Sequence, residues 1–229
     1  MYKRVLLKLS GEALGNPFDP EFLDAVSLQV KQLAEAGVEV GIVVGGGNIC
    51  RGRTFEKLGL DREDADYIGM TATVINAKML EAALKKNGVN ATTLSTIAVQ
   101  RVEEYTTEKA LDLLSKGVVC VFGGGTGKPF FSTDTGSALR AQDIKAEVIL
   151  MAKNGVDGVY TADPKTDPTA SRYDELSFDD IIKNKLGVID LEAAEICRDN
   201  GIQGFVFDMA AENNIVKAAL GQAIGTVIK

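Results

Sequence analysis

The sequence contains no histidine and no tryptophan, and only three cysteines and five prolines among 229 residues. Without histidine, the side chain best suited to general-base work near neutral pH is missing, as is a common nitrogen ligand for metals. Cys50, Cys120 and Cys197 are odd in number and widely spaced. They match neither a disulfide framework nor a zinc motif, and they read as reduced thiols of a cytosolic protein. Positive charge is also scarce: 25 Lys and Arg against 32 Asp and Glu give a formal net charge of −7. A binder of duplex nucleic acid carries a basic face or stripe, and the sequence has no such cluster, so no nucleic-acid partner is expected. No apolar stretch reaches the roughly 20 residues that a membrane-spanning helix needs. Met1-Tyr2-Lys3-Arg4 runs straight into a strand-like segment without the apolar core of a signal peptide. The expectation is a cytoplasmic protein with no membrane partner.

What the sequence does have is glycine (24 residues) and a 45% hydrophobic content. That suffices for one substantial core, with lobes, rather than two independent domains. Short apolar runs alternate with amphipathic segments. Val5 to Leu9, Val38 to Val44, Ala91 to Leu94, Val118 to Phe122, Val148 to Met151, Phe205 to Phe207 and Gly225 to Ile228 read as strands. Helical spacing marks Phe22 to Glu35, Arg62 to Lys86, Thr107 to Lys116, Thr135 to Lys145, Asp179 to Lys185, Leu191 to Asp199 and Ile215 to Leu220. In the long Arg62–Lys86 segment the apolar stripe is assigned to Ile68, Ala72, Ile75, Met79 and Ala83, with Asn87-Gly88 closing the helix. Gly155 to Arg172 reads as a loop or small hairpin. Such alternation predicts an α/β protein: a three-layer αβα sandwich with a mostly parallel central sheet.

In open α/β sheets, ligands bind beyond the carboxyl ends of the strands. Three polar glycine loops fall there: Lys8-Leu9-Ser10-Gly11, Gly45-Gly46-Gly47-Asn48 and Gly123 to Thr126. Glycines allow close backbone approach to an anion, and successive amides can cradle phosphate oxygens. The familiar motifs fail: Gly123 to Pro129 is one residue short of a P-loop and has Pro where Ser or Thr belongs, and neither glycine run fits G-x-G-x-x-G. Lys8, Arg51 and Lys128 are the basic residues near the loops. Cations converging on glycine-loop amides suit phosphoryl transfer, which relies on positioning and charge stabilisation. An acceptor that is already ionised needs no general base, which agrees with the absence of histidine.

Five blocks carry a family resemblance: Lys8-Leu9-Ser10-Gly11-Glu12-Ala13-Leu14, Gly45 to Gly52, Asp64 to Met70, Gly124 to Asp134 and Ala152 to Pro164. Together they resemble the bacterial UMP kinases of the amino acid kinase superfamily, in the same order and over nearly the whole chain. The resemblance implies one amino acid kinase domain over 1–229, roughly a UMP lobe at 1–150 and an ATP lobe at 151–229. It implies catalytic roles for Lys8, Arg51 and Asp134. ATP would be held by Lys8, Leu9, Ser10, Gly11, Gly47, Arg51, Asn154, Tyr160 and Asp163. UMP would be held by Gly46, Asp66, and the run Thr126, Gly127, Lys128, Pro129, Phe130, Phe131, Ser132 and Thr133. Mg²⁺ would arrive as MgATP, bound through phosphates and water with no dedicated protein cage. A homohexamer is implied as well. The stretch Gly15 to Asp19 is shorter than the one associated with GTP activation in many of these enzymes, so no effector residues are assigned.

Each of these residues also has a plainer reading. Asp66 could be a carboxylate favoured by a helix N-terminus, Asp134 an N-cap, Phe130 and Phe131 core residues, and Asp163-Pro164 a turn. Two other functions share the fold. One is a superfamily kinase acting on carbamate or an amino-acid carboxylate, which would need a different loop in place of Thr126 to Thr133. The other is a non-catalytic nucleotide sensor, which would be expected to lack Lys8 or Asp134.

Overall fold

The computed structural model describes residues 1–16, 18–50, 55, 58–164 and 166–229. Its strands are β1 Arg4–Leu9, β2 Glu39–Val44, β3 Ala91–Ser95, β4 Glu103–Glu104, β5 Val119–Gly123, β6 Val148–Lys153, β7 Glu175–Leu176, β8 Gln203–Asp208 and β9 Thr226–Ile228. Its helices are α1 Pro20–Glu35, α2 Arg62–Lys86, α3 Thr107–Ser115, α4 Thr133–Asp143, α5 Phe178–Asn184, α6 Leu191–Asp199 and α7 Asn214–Ala219, with a 3₁₀ turn at Gly11–Leu14. Among the described residues the strands form one sheet in the order β4-β3-β5-β2-β1-β6-β8-β9-β7. Neighbouring strands run parallel except β8 with β9. The mostly parallel α/β sheet expected from the alternation is what forms.

The two faces of the sheet bury different halves of each strand, because side chains alternate along an extended backbone. On β1, Val5, Leu7 and Leu9 join a cluster with Ile42, Val44, Leu33 of α1 and Leu80 and Leu84 of α2. Leu6 joins the opposite cluster, with Val43, Phe122, Ala138 and Ala141 of α4 and Ala194 of α6. The central strands are therefore apolar on both sides, which is why they read as unbroken runs rather than alternating ones. Helix starts follow local chemistry. Asp19 accepts from the amides of Glu21 and Phe22 with Pro20 in the first turn, and Ser177 forms a reciprocal capping box with Asp180.

One expectation fails in part: of the stripe assigned to α2, Ala72 is buried and Ala83 packs against the core, but the three large residues do not. On α2, Ile68, Ile75 and Met79 are 39%, 48% and 37% exposed, whereas Ala65, Thr73, Asn76, Ala77, Leu80 and Leu84 face the sheet. Ala72 is buried with them. Apolar residues occur all round this helix, so their spacing could not identify the inner face. That face is marked instead by polar groups that find partners. Glu81, for instance, binds Lys78, Lys85 and the Thr93 hydroxyl at 2.6, 2.5 and 2.6 Å. Two strands of two residues each, β4 and β7, have no periodicity to reveal them and were not anticipated. The stretch after β6 does contain an antiparallel bridge, between Tyr160 and Arg172.

Candidate active site

Because β1, β2, β5 and β6 are parallel, their carboxyl ends and the three glycine loops share one edge of the sheet. Lys8 shares a face of β1 with Arg4 and Leu6, at the carboxyl end of the strand. Its ammonium forms an ion pair with Asp134, in the first turn of α4. Asp134 is not the helix cap: Ser132 fills that position, accepting from the Thr135 amide at 3.0 Å. The plainer reading of Asp134 therefore fails, and its carboxylate is committed to Lys8. Burial pulls the Lys8 pKa down to about 7, the Lys153 ammonium adds to the fall, and the Asp190 carboxylate opposes it. The ion pair with Asp134 acts in the same direction as Asp190.

Sequence reading missed both of those neighbours. Lys153 ends β6, next to β1 in the sheet, and burial lowers its pKa. Its Nζ donates to the Val188 carbonyl at 3.3 Å. A lysine closing an apolar strand, as at Lys8, was the available signal. Asp190 caps α6 through the Ala193 amide at 2.8 Å, and also accepts the hydroxyls of Ser132 and of Thr135, the latter at 3.2 Å. It ties the start of α4 to the start of α6, a link between segments about sixty positions apart that only the fold brings together.

The glycine that ends the first loop is required by contact. A Cβ on Gly11 would lie 2.6 Å from both the Gly45 oxygen and the Gly47 nitrogen. Asn76, fully buried on α2, holds the second loop: its Nδ2 donates to the Gly45 carbonyl at 2.6 Å and to the Asn48 side-chain oxygen at 2.7 Å. Asn48 in turn donates to the Gly15 carbonyl at 2.9 Å. In the third loop Gly124, Gly125 and Gly127 adopt φ of 82°, 59° and 77°, the left-handed region that side chains avoid.

A cavity of about 640 Å³ opens between the second and third loops, the first turns of α2 and the segment 126–133. A volume of this size fits a small-molecule site. Gly46, Gly47 and Asp66 line it, as do Thr126, Lys128, Phe131, Ser132 and Thr133. Gly127, Pro129 and Phe130 do not. Phe130 is 62% exposed at φ 71°, and Phe131 is also exposed, so neither is a core residue. The Phe130 amide donates to Asp66 Oδ2 at 2.7 Å, and Arg62 Nε lies 2.9 Å from both oxygens of Asp66. Asp61 caps α2 through the Asp64 amide, so Asp66 is free of the helix-start role and bridges α2 to the loop.

The remaining sequence-predicted residues lie elsewhere. Leu9 is buried in the core opposite Lys8, and what it offers the loop is its carbonyl, which accepts from the Gly45 amide at 3.0 Å. Ser10 is exposed beside Gly11. Asn154, Tyr160 and Asp163 sit outside the cavity, on the stretch after β6. There the Tyr160 hydroxyl donates to Asp157 at 2.7 Å, and the Asp163 carbonyl accepts from the Asp167 amide at 2.9 Å. Arg51 lies outside the described residues. Met70, Thr73 and Arg140 line the cavity without having been singled out in the sequence.

The model of the amino acid kinase family matches residues 3–208. The chain belongs to that family. Solved structures of amino acid kinase fold resemble it along its full length. A UMP kinase from Bacillus anthracis is 37% identical, with a TM-score of 0.96 over 100% of this chain and 96% of its own. A UMP kinase from Ureaplasma parvum is 35% identical, with a TM-score of 0.95 over 100% and 99%. A uridylate kinase from Archaeoglobus fulgidus is also 35% identical, with a TM-score of 0.78 over 98% and 99%. As an amino acid kinase, the chain keeps Lys8 and Asp134 paired beside three glycine loops at a single edge of its sheet.

Proposed function

We propose that this amino acid kinase is a UMP kinase, which transfers the γ-phosphoryl group of ATP to the phosphate of UMP and releases UDP and ADP. The observation that carries this reading is the cavity walled by Thr126, Lys128, Phe131, Ser132 and Thr133 of the segment that resembles UMP kinases, next in sequence to Asp134, the partner of Lys8. A phosphate acceptor is ionised at neutral pH, so no group has to remove a proton from it. What the site must supply is positive charge and alignment. Lys8 provides the charge, with Asp134 holding it in place, and the amides around Gly11 and Gly47 receive phosphate oxygens. Lys153 adds a second cation on the neighbouring strand. Asp66 offers acceptors for ribose hydroxyls once Arg62 and the Phe130 amide yield one oxygen. Arg51 completes the phosphate contacts by resemblance.

In this reading Asn154, Tyr160 and Asp163 serve the adenosine end of ATP, with the lobes dividing near residue 150. Among the described residues no group of three or more acidic, cysteine or histidine side chains could hold a metal. Mg²⁺ enters with the substrate as MgATP. A sensor would have no use for a buried lysine ion-paired beside the glycine loops, which disfavours that alternative. Among the described residues no helix is long and apolar enough to cross a membrane. The exposed apolar face of α2, with Ile75 and Met79, supports self-association into the implied hexamer.

The test is ADP release by the purified protein with MgATP and UMP, alongside CMP, carbamate and a panel of amino acids. Turnover with UMP supports the proposal. Turnover confined to carbamate or an amino acid would move the protein to another branch of the family.

A further inference from the structure

Asp190 carries more than its place at a helix start requires. Capping α6 occupies one carboxylate oxygen: Oδ1 accepts the Ala193 amide at 2.8 Å. A neutral Asn or Ser caps a helix about as well, so the cap explains neither the charge nor the second oxygen. That oxygen, Oδ2, accepts the Ser132 hydroxyl, and the Thr135 hydroxyl lies 3.2 Å from both oxygens. Ser132 and Thr135 stand on either side of Asp134, the partner of Lys8. Ser132 also lines the cavity.

The turn before α6 is fixed from its other side as well. Its Val188 carbonyl accepts from Lys153 Nζ at 3.3 Å. Ile189 is buried in the cluster that holds Ala138 and Ala141 of α4 and Ala193 and Ala194 of α6. Small residues at those positions let the two helices approach, and the Ser132–Asp190 bond joins their first turns. Charged groups reach Lys8 from three elements: Asp134 from α4, Lys153 from β6 and Asp190 from the turn before α6. Its register partners on β2 and β6, Val43 and Met151, are uncharged. Glu192, further along α6, approaches the Thr135 hydroxyl at 3.5 Å. Two carboxylates thus face two ammonium groups, and losing Asp190 would leave Asp134 to balance both lysines.

On the strength of the UMP kinase reading, we propose that Asp190 is a positioning residue for phosphoryl transfer, which holds the turn bearing Asp134 and supplies the second negative charge facing the Lys8 ammonium.

The experiment measures kcat/KM with MgATP and UMP from pH 6 to 9 in the wild type, Asp190→Asn, Lys8→Arg and the double variant, with thermal melting of each. Asparagine keeps the cap and an acceptor oxygen but removes the charge. The Lys8 pKa, about 7 with Asp190 present, falls when that carboxylate is removed. The alkaline limb of the Asp190→Asn profile should therefore move to lower pH. The loss should be roughly tenfold at pH 8 and smaller at pH 6. Lys8→Arg stays charged across this range, so adding Asp190→Asn to it should produce no pH-dependent loss. Asp190→Ser, which also keeps the cap, gives the same readout if the asparagine variant does not fold. A loss equal at every pH, or no loss at all, makes Asp190 a helix cap only and overturns the inference. A wild-type profile without an alkaline limb overturns it as well. A wild type that does not turn over UMP is a different failure, that of the UMP kinase reading. The same comparison with whichever acceptor is turned over then decides Asp190, and no turnover with any acceptor removes both.

Discussion

Lys8 concentrates the chemistry of this site in a few atoms. It is buried, has two cationic or anionic neighbours besides its partner Asp134, and titrates near 7 in the absence of nucleotide. Replacing it with alanine removes the main charge that a transferring phosphoryl group would meet. Lys8→Ala is expected to cut kcat by about 100- to 1,000-fold, measured as ADP release, with melting of the variant showing that the fold survives. The pH dependence follows from the same residue. Only protonated Lys8 stabilises the phosphoryl group, and its pKa is lowered, so kcat/KM should fall as pH rises through about 7. Lys8→Arg stays charged throughout that range and should lack this alkaline limb, however slow it is. A wild-type profile flat from pH 6 to 9 would contradict the assignment. Lys8 was legible in the sequence as a lysine closing a strand before a polar turn. Asp134 was expected beside it only through the family resemblance, because no local signal in the sequence says that the first turn of α4 lies over the end of β1.

At the scale of elements, α2 is the beam from which the loops hang. Asn76 holds the Gly45 carbonyl and Asn48, and Thr73 accepts the Gly124 amide at 2.8 Å. Asn76→Ala would leave buried polar groups unpaired. It is expected to cost about 1–3 kcal/mol in denaturant unfolding and to raise KM for both nucleotides. Glu81, on the same helix, links α2 to β3. Burial alone would raise its pKa, but hydrogen bonds from Lys78, Lys85 and Thr93 outweigh that and hold it at about 2. Its folded pKa lies below the ordinary value of 4.5. The stability it contributes is therefore present above pH 4.5 and lost as pH falls towards 2. Glu81→Gln should flatten the acid-unfolding curve across that window, and an unchanged slope would rule the residue out as its source. The length and ends of α2 were readable from its caps. Its inner face was not, since Asn76 and Glu81 look like surface residues until their partners are known.

For the whole molecule, the exposed side of α2 matters most. Ile68, Ile75 and Met79, with Val99 nearby at 37% exposure, leave an apolar strip on an otherwise acidic protein. If that strip mediates self-association, Ile75→Glu or Met79→Glu should lower the mass observed by sedimentation while leaving the far-ultraviolet spectrum of the subunit unchanged. An unaltered mass would place any interface elsewhere.

The sequence alone determined the class of fold, the positions of most strands and helices, and the glycine loops at the strand ends. Those depend on short-range properties: apolar periodicity, capping side chains and the unique freedom of glycine. Residue identity also excluded histidine chemistry. The tertiary structure decided which groups meet. It set Asp134 and Asp190 around Lys8, and it turned Ile68, Ile75 and Met79 of α2 outward. Pairings of this kind depend on how the layers stack, and stacking brings together residues whose spacing along the chain carries no trace of their contact.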